Sequence, residues 1–238
     1  MIPTGLLDER VVRTKDGDLR FETPLYTVAE AAAYLRVPRA TFQTWAQGQR
    51  STGEAPIITA IPGGRGAPEI PFIGLAEAVV LAAFRNSGVQ MQRLRAVVEV
   101  LQSELGLDHA LASKRLCRDG AEIFHHFATK TNDDALRELT VASGRRRLFV
   151  PVIQDYLRRI AYAPDGWAGQ LTLLASNNVI IDPERAFGQP IFAEGAVRVE
   201  DVLDRFGAGD SVADVAYDFD VRFEDIEEAI RVALTIAA

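Results

Sequence analysis

The sequence predicts a mainly α chain with small β-hairpins, an α+β fold in which two winged helix-turn-helix modules are joined by a small α/β segment. Three observations predict it. Tyr26 to Trp45 reads as two short helices joined by a tight turn, and two β-rich runs around a glycine-rich tip follow it. After Leu171, short strand-like runs give way to three helical segments that repeat the outline.

The first helix starts at Val28, because Thr27 and Glu30 form a capping box: the hydroxyl accepts the backbone N–H of residue 30 while the carboxylate reaches back to residue 27. Arg36-Val37-Pro38 ends it, since proline disfavours helical geometry in the residue before it and suits the first turn of a new helix. The second helix therefore begins at Pro38 or Arg39. On a helical wheel Pro38, Thr41, Phe42 and Trp45 form an apolar side facing Ala32 and Leu35, and Arg39, Ala40, Gln43, Thr44 and Gln47 form the other. Those types suit a DNA major groove: arginine reads guanine edges, glutamine reads adenine, and small side chains allow close approach to thymine methyls. An ordinary solvent-facing helix carries a similar polar face.

Ile57 to Ile61 and Ile70 to Ile73 flank Pro62-Gly63-Gly64-Arg65-Gly66, which reads as a two-stranded wing with one cation at its tip. The tip lacks the Gly-Lys-Ser/Thr ending of a nucleotide-binding loop. Arg65 on the wing and Arg36 in the turn are expected to clamp phosphates. Pro71 cannot donate to a ladder and must sit on an edge or face away from its neighbour.

Leu75 to Arg85 reads as a buried helix, too short and, with Glu77, too polar to span a bilayer. Gln90 to Leu105 places Met91, Leu94, Val98, Leu101 and Leu105 at alternating spacings of three and four. This is either a dimer seam or an intrachain core face, which Val97 widens. Between 106 and 170, Glu122 to Phe127 is strand-like, with Leu136 to Val141 as a possible pairing run. His125 and His126 are adjacent, and no cysteine or carboxylate lies at zinc-ligand spacing, so they read as structural. Arg145, Arg146 and Arg147 beside Leu148 and Phe149 combine positive charge with an apolar anchor.

Beyond 171, short strands broken by Asp182-Pro183 and Gly188-x-Pro190 turns precede helices over Val199 to Phe206, from a Ser211 cap, and over Phe223 to Leu234. The divisions follow: an N-terminal arm at 1–24, a helix-turn-helix module at 25–105, a linking segment at 106–170 and a C-terminal module at 171–238.

Charge is divided along the chain. Residues 36–95 hold seven arginines against three glutamates, a balance of +4, whereas 171–238 hold five arginines against fourteen acids, a balance of −9. The first module can meet phosphates; the last is repelled by them. Glu224, Asp225, Glu227 and Glu228 give the final helix an acidic outer face that suits a protein partner. Cys117 is alone, which excludes an internal disulfide, and no secretory signal pattern opens the chain, so the cytoplasm is expected.

The pattern T-x-x-E-A-A-x-x-L-x-V-P-x-x-T-F-x-x-W over Thr27 to Trp45 resembles the excisionase and MerR-like winged-helix group, and the resemblance continues to about Leu105. Pro38 stands where that group usually has a serine-type cap. The later motifs I-D-P-x-x-x-F-G-x-P-x-F and S-x-x-x-V-A-x-D-F-x-V-x-x-E-D-I-E-E-A-I resemble a winged-helix domain of unknown function found in VapBC-type antitoxins. The whole chain looks like a two-module VapB-type antitoxin. That resemblance implies a homodimeric repressor that binds operator DNA and neutralises a PIN-domain ribonuclease toxin.

No nucleophile with an oriented base, acid pair or metal cluster can be placed, so neither an enzyme nor a cofactor is expected. The DNA-binding candidates are Arg36, Arg39, Ala40, Gln43, Thr44, Gln47 and Arg65. The candidates for partner binding are Arg145, Arg146, Arg147 and Phe149, docking in the toxin's acidic cleft, and Glu224, Glu227 and Glu228, facing its basic rim. The alternative is a stand-alone MerR-like transcriptional regulator without a toxin partner, which requires an effector pocket.

Overall fold

The computed structural model describes residues 17–49, 53–64, 66–144, 146–173, 176–195 and 197–237. The N-terminal arm enters it at Gly17 and at once joins the core: Asp18 caps a helical turn, α1 (Leu19–Glu22), that buries Phe21. Strand β1 (Pro24–Tyr26) leads into α2 (Val28–Tyr34), where both halves of the expected capping box are present, Glu30 N to Thr27 Oγ1 at 3.2 Å and Thr27 N to Glu30 Oε2 at 2.8 Å. Helix α3 (Arg39–Gln47) follows with Pro38 as a cap that supplies no side-chain hydrogen bond.

The expected first wing strand is not a strand. The N–H groups of Ile57 and Ile58 both go to the carbonyl of Trp45, and that of Thr59 goes to the Glu77 carboxylate, so those three donors are not available to a ladder. A single bond, Ile61 N to Glu69 O at 2.8 Å, closes the Pro62–Gly66 loop. Strand β2 (Ile70–Pro71) pairs antiparallel with β1 instead, and Pro71 lies opposite Pro24, so two residues that cannot donate face each other in a very short sheet. Phe72 and Ile73, expected in the wing, open α4 (Phe72–Asn86), which is buried from Phe72 to Phe84. Among the described residues no helix is long and apolar enough to cross a membrane.

Helix α5 (Met91–Leu105) buries Leu94, Val97, Val98, Leu101 and Leu105 inside the chain, with Met91 packed at the core's edge. The stripe is a core face, not a free dimer seam. A turn at Ala110–Ala112 and a π-helical turn at Leu116–Gly120 run into α6 (Ala121–Lys130). The run Glu122 to Phe127 is thus helical: Ala121, Phe124 and Ala128 make a buried stripe at helical spacing, and that period overrides the β propensity of Ile123, Phe124 and Phe127. His125 and His126 lie on this helix, and no group of His, Cys, Asp or Glu among the described residues is placed to hold a metal. The run expected to pair with it begins as α7 (Asp134–Arg137), capped by Asp133, and ends in β3 (Thr140–Ser143). Strand β3 pairs with β4 (Arg146–Phe149) in a hairpin with Val141 opposite Leu148.

Helix α8 (Pro151–Leu157) connects to a four-stranded antiparallel sheet of β5 (Ile160–Tyr162), β6 (Ala168–Thr172), β7 (Val179–Ile181) and β8 (Ile191–Phe192), in that order. The division expected after residue 170 passes through β6, so the sheet of the C-terminal unit starts at Ile160. Helices α9 (Val199–Gly207), α10 (Val212–Phe219) and α11 (Phe223–Ala237) close the chain, with Ser211 accepting from the Asp214 N–H as the cap of α10.

Candidate nucleic-acid interface

The interface is built from α2 outward. The turn after α2 holds Arg36 at φ 52°, a left-handed conformation that reverses the chain within Leu35 to Pro38 and leaves Arg36 exposed. Phe42, Trp45 and Ala46 then bury one side of α3 with Ala32 and Leu35. Pro38, placed on that apolar side by the helical wheel, is exposed because it sits at the end of the helix, beyond the reach of α2. The opposite face presents Arg39, Ala40, Gln43 and Gln47 to solvent with Thr44 half-buried among them, so the structure brings these five onto one surface.

The polar groups of that surface are already organised. The Gln43 amide donates to Gln47 Oε1 at 3.1 Å, and the Gln47 amide donates to Glu69 Oε2 at 2.9 Å. Thr44 returns its hydroxyl to the Ala40 carbonyl at 3.0 Å, so that donor is already engaged within the helix. Arg36 and Arg39 make no ion pair among the described residues. Arg93 and Arg95 are spent inside the protein, on Asp133 at 2.6 Å and on Glu54 at 3.4 Å. Of the described arginines of this module, Arg36, Arg39 and Arg85 are thus the exposed ones without an ion pair, and the first two stand at the start of α3. Arg65 lies outside the described residues. Glu69 was not singled out in the sequence, because only the closing of the loop carries it back to the end of α3.

The expected partner-binding residues are dispersed. Phe149 is 2% exposed and packs against Phe84 and Phe124, with ring centroids 5.4 and 5.2 Å apart, so it is a core residue and not a surface anchor. Leu148, opposite in the strand's alternation, carries the exposure. Arg145 lies outside the described residues, while Arg146 and Arg147 line a hollow with Lys114, Arg115 and Arg118. On α11, Glu224 and Glu227 are exposed and Glu228 half-buried. Asp225, expected beside them, is buried, held by Arg222 at 2.9 Å and by the Asn178 amide at 2.6 Å.

Residues 24–98, which contain this whole surface, match the family described as "Putative DNA-binding HTH domain", and residues 179–233 match the protein family of unknown function DUF433. A relative from Mycobacterium tuberculosis named "Putative antitoxin VapB45" is 42% identical over 228 residues, covering 90% of this chain and 95% of its own length. The chain belongs to the VapB-type antitoxin family. A second relative from the same organism, the uncharacterized protein Rv2308, is 26% identical over 87% of this chain and 88% of its own. The crystal structure of Rv2018 from M. tuberculosis superposes with a TM-score of 0.81 at 42% identity, covering 89% of this chain and 99% of that one. The VapB-type chain thus carries a DNA-binding helix-turn-helix domain, and α3 is its exposed second helix.

Proposed function

We propose that this antitoxin represses its own operon by placing α3 in the major groove of operator DNA, and that it neutralises a PIN-domain ribonuclease toxin. The single observation that supports the DNA half is the exposed Arg39, Ala40, Gln43, Thr44, Gln47 face, with Arg36 beside it as a phosphate clamp. Gel-shift titration on the DNA upstream of its own gene tests it. Gln43→Ala is expected to relax preference at one base position at a cost of about 1–3 kcal/mol, and Arg36→Ala to weaken binding to all sequences alike. Equal affinity of both variants and the parent for every duplex would reject the surface.

The toxin half rests on family membership and on the acidic face Glu224, Glu227 and Glu228, which suits the basic rim by which a ribonuclease tracks RNA. Reversing those three charges to lysine is expected to release ribonuclease activity in a mixture with the cognate toxin while operator binding persists; full inhibition by the triple variant counts against it. The homodimer is assigned to the C-terminal helices, where Phe206, Tyr217 and Phe223 are exposed, because the α5 stripe is consumed within the chain. Two copies would then set the spacing of operator half-sites.

One observation favours the second reading, a stand-alone regulator. A cleft of about 570 Å³ opens between α2 and the C-terminal unit, where Glu30 and Tyr34 face Gln189, Val199 and Leu203. A small molecule there would touch the helix that supports α3. Operator release by a cell metabolite fraction without any toxin would favour this reading.

A further inference from the structure

A second concave site lies at the far end of α5 from the DNA-binding face. It is a cleft of about 590 Å³ between the Ser113–Arg118 segment, the Arg146–Leu148 strand and the Asp165–Trp167 turn. The backbone fixes its shape: Ser113 bridges to Trp167, and Lys114 N donates to the Gly166 carbonyl at 2.8 Å. The π-helical turn at Leu116–Gly120 widens the chain there and sets Arg115 and Arg118 on the same rim.

Its charge is one-sided. Five cations line it, Lys114, Arg115, Arg118, Arg146 and Arg147, against one acid, Asp165. That acid is already taken, because Arg20 pairs with it and its Oδ1 also accepts the Trp167 N–H at 3.0 Å. Arg115 and Arg118 share Asp119, at 4.0 and 3.3 Å, outside the lining. Lys114, Arg146 and Arg147 make no ion pair among the described residues. Holding like charges around a hollow opposes folding unless an anion enters.

Two further groups in the lining lack partners. Ser113 is 2% and Trp167 5% exposed, and neither the Ser113 hydroxyl nor the Trp167 indole N–H has a hydrogen-bond partner. Buried donors are nearly always satisfied, so these two are exceptions in the residues that back the cleft. Leu107 and Leu148, with the edge of Trp167, add an apolar side to the lining.

We propose that this cleft binds the phosphates of a nucleoside diphosphate or a related polyphosphorylated nucleotide, with Lys114, Arg146 and Arg147 on the phosphates and the base against the apolar wall. The surplus of cations exceeds what one carboxylate or one phosphate neutralises, which selects a ligand with at least two phosphates. The apolar side beside the cations favours a nucleotide, whose base it can cover, over an acidic protein segment. The site goes beyond operator recognition and lies away from α3, so its occupancy is separable from DNA binding.

Isothermal titration of the full chain with ADP, GDP, inorganic pyrophosphate and adenosine tests the assignment. Binding of the two nucleotides is expected, with weaker binding of pyrophosphate, none of adenosine, and loss of affinity as salt rises. The surface variant Lys114→Gln/Arg147→Gln should weaken ADP at least tenfold, with operator affinity unchanged. No heat from either nucleotide or from pyrophosphate at millimolar concentration overturns the proposal, as does nucleotide binding that the double variant leaves intact. Polyglutamate displacing ADP at equal concentration also overturns it, because the cleft would then be a general seat for acidic protein.

Discussion

The imidazole Nδ1 of His109 lies 3.1 Å from Glu77 Oε1, inside the protein, and the same nitrogen is 2.9 Å from the Thr59 hydroxyl. The other Glu77 oxygen accepts the Thr59 N–H at 2.6 Å. His109 also packs against Phe21 and Trp167, with ring centroids 5.3 and 5.9 Å away. One buried carboxylate on α4 thereby ties together α1, the segment after α3 and the chain that follows α5. Gly74 is part of the arrangement: a Cβ there would lie 2.1 Å from the Thr59 carbonyl, so only glycine lets α4 approach this closely.

The pair makes stability depend on pH. Burial works against the charged imidazole, but the hydrogen bond and the charge of Glu77 outweigh it and hold the His109 pKa above its ordinary 6.5. A raised folded value means that the pair's contribution is fully present below about pH 6.5 and is lost as pH rises through the folded pKa. Urea midpoints measured from pH 5.5 to 9 should therefore fall with rising pH, and His109→Gln should flatten that limb. A parallel slope in the variant would remove His109 as its source.

The acid limb has its own source. Arg20 hydrogen-bonds both Asp18 and Asp165 and holds each carboxyl below its ordinary range. Depressed folded values contribute stability above about pH 3.8 that is lost as pH falls through them. Arg20→Met should shift the acid unfolding midpoint upward in pH, read by circular dichroism, with little change in the slope above neutrality.

How much of this was legible in the sequence follows the range of the interactions. The capping box at Thr27 and Glu30, the stop at Pro38, the polar face of α3 and the Ser211 cap are set by residues within a turn of each other, and the structure has all of them. The first wing strand failed because the N–H groups of Ile57, Ile58 and Thr59 find partners on Trp45 and Glu77, which no local pattern announces. Phe149 read as a surface anchor because it follows three arginines, but strand alternation puts it on the inner side against Phe84 and Phe124. The basic cleft needs Lys114, Arg147 and Trp167 together, residues distant in sequence and joined only by the fold. Lys114-Arg115-Leu116-Cys117-Arg118 was the local signal that could have raised it.

Phe149→Ala should be among the costliest single changes, about 3–5 kcal/mol, since it leaves a buried cavity against the stacked Phe84 and Phe124 rings. Leu148→Ala, one residue away and 39% exposed, should cost far less. Chemical denaturation of both variants checks the contrast; similar losses would contradict the packing.

Gly188 joins the C-terminal unit to the first module. It sits at φ 74°, and its carbonyl accepts the Tyr26 hydroxyl at 2.9 Å, while an added Cβ would lie 2.5 Å from that same oxygen. Gly188→Ala should therefore destabilise by about 1–3 kcal/mol through backbone strain and displacement of Tyr26. Tyr26→Phe removes the hydrogen bond without the strain and should cost about 1 kcal/mol. A Gly188→Ala protein as stable as the parent would show that the loop is free to reposition.

Glu69 places a carboxylate at the edge of the surface assigned to DNA, held there by the Gln47 amide at 2.9 Å. Its charge repels phosphates at every sequence equally, whereas its hydrogen bond orders Gln47, and through Gln47 the Gln43 side chain, for base contact. Glu69→Gln separates the two effects, because the amide oxygen can still accept from Gln47 while the charge is gone. Affinity for operator and for unrelated duplex should rise together at low salt, and the gain should shrink as salt screens the removed charge. Glu69→Ala removes the acceptor too, so it should raise affinity for unrelated duplex equally but narrow the preference for operator. Gel-shift titrations of both variants over a salt series decide it: unchanged affinity of Glu69→Gln for all duplexes would place this edge of α3 away from the DNA.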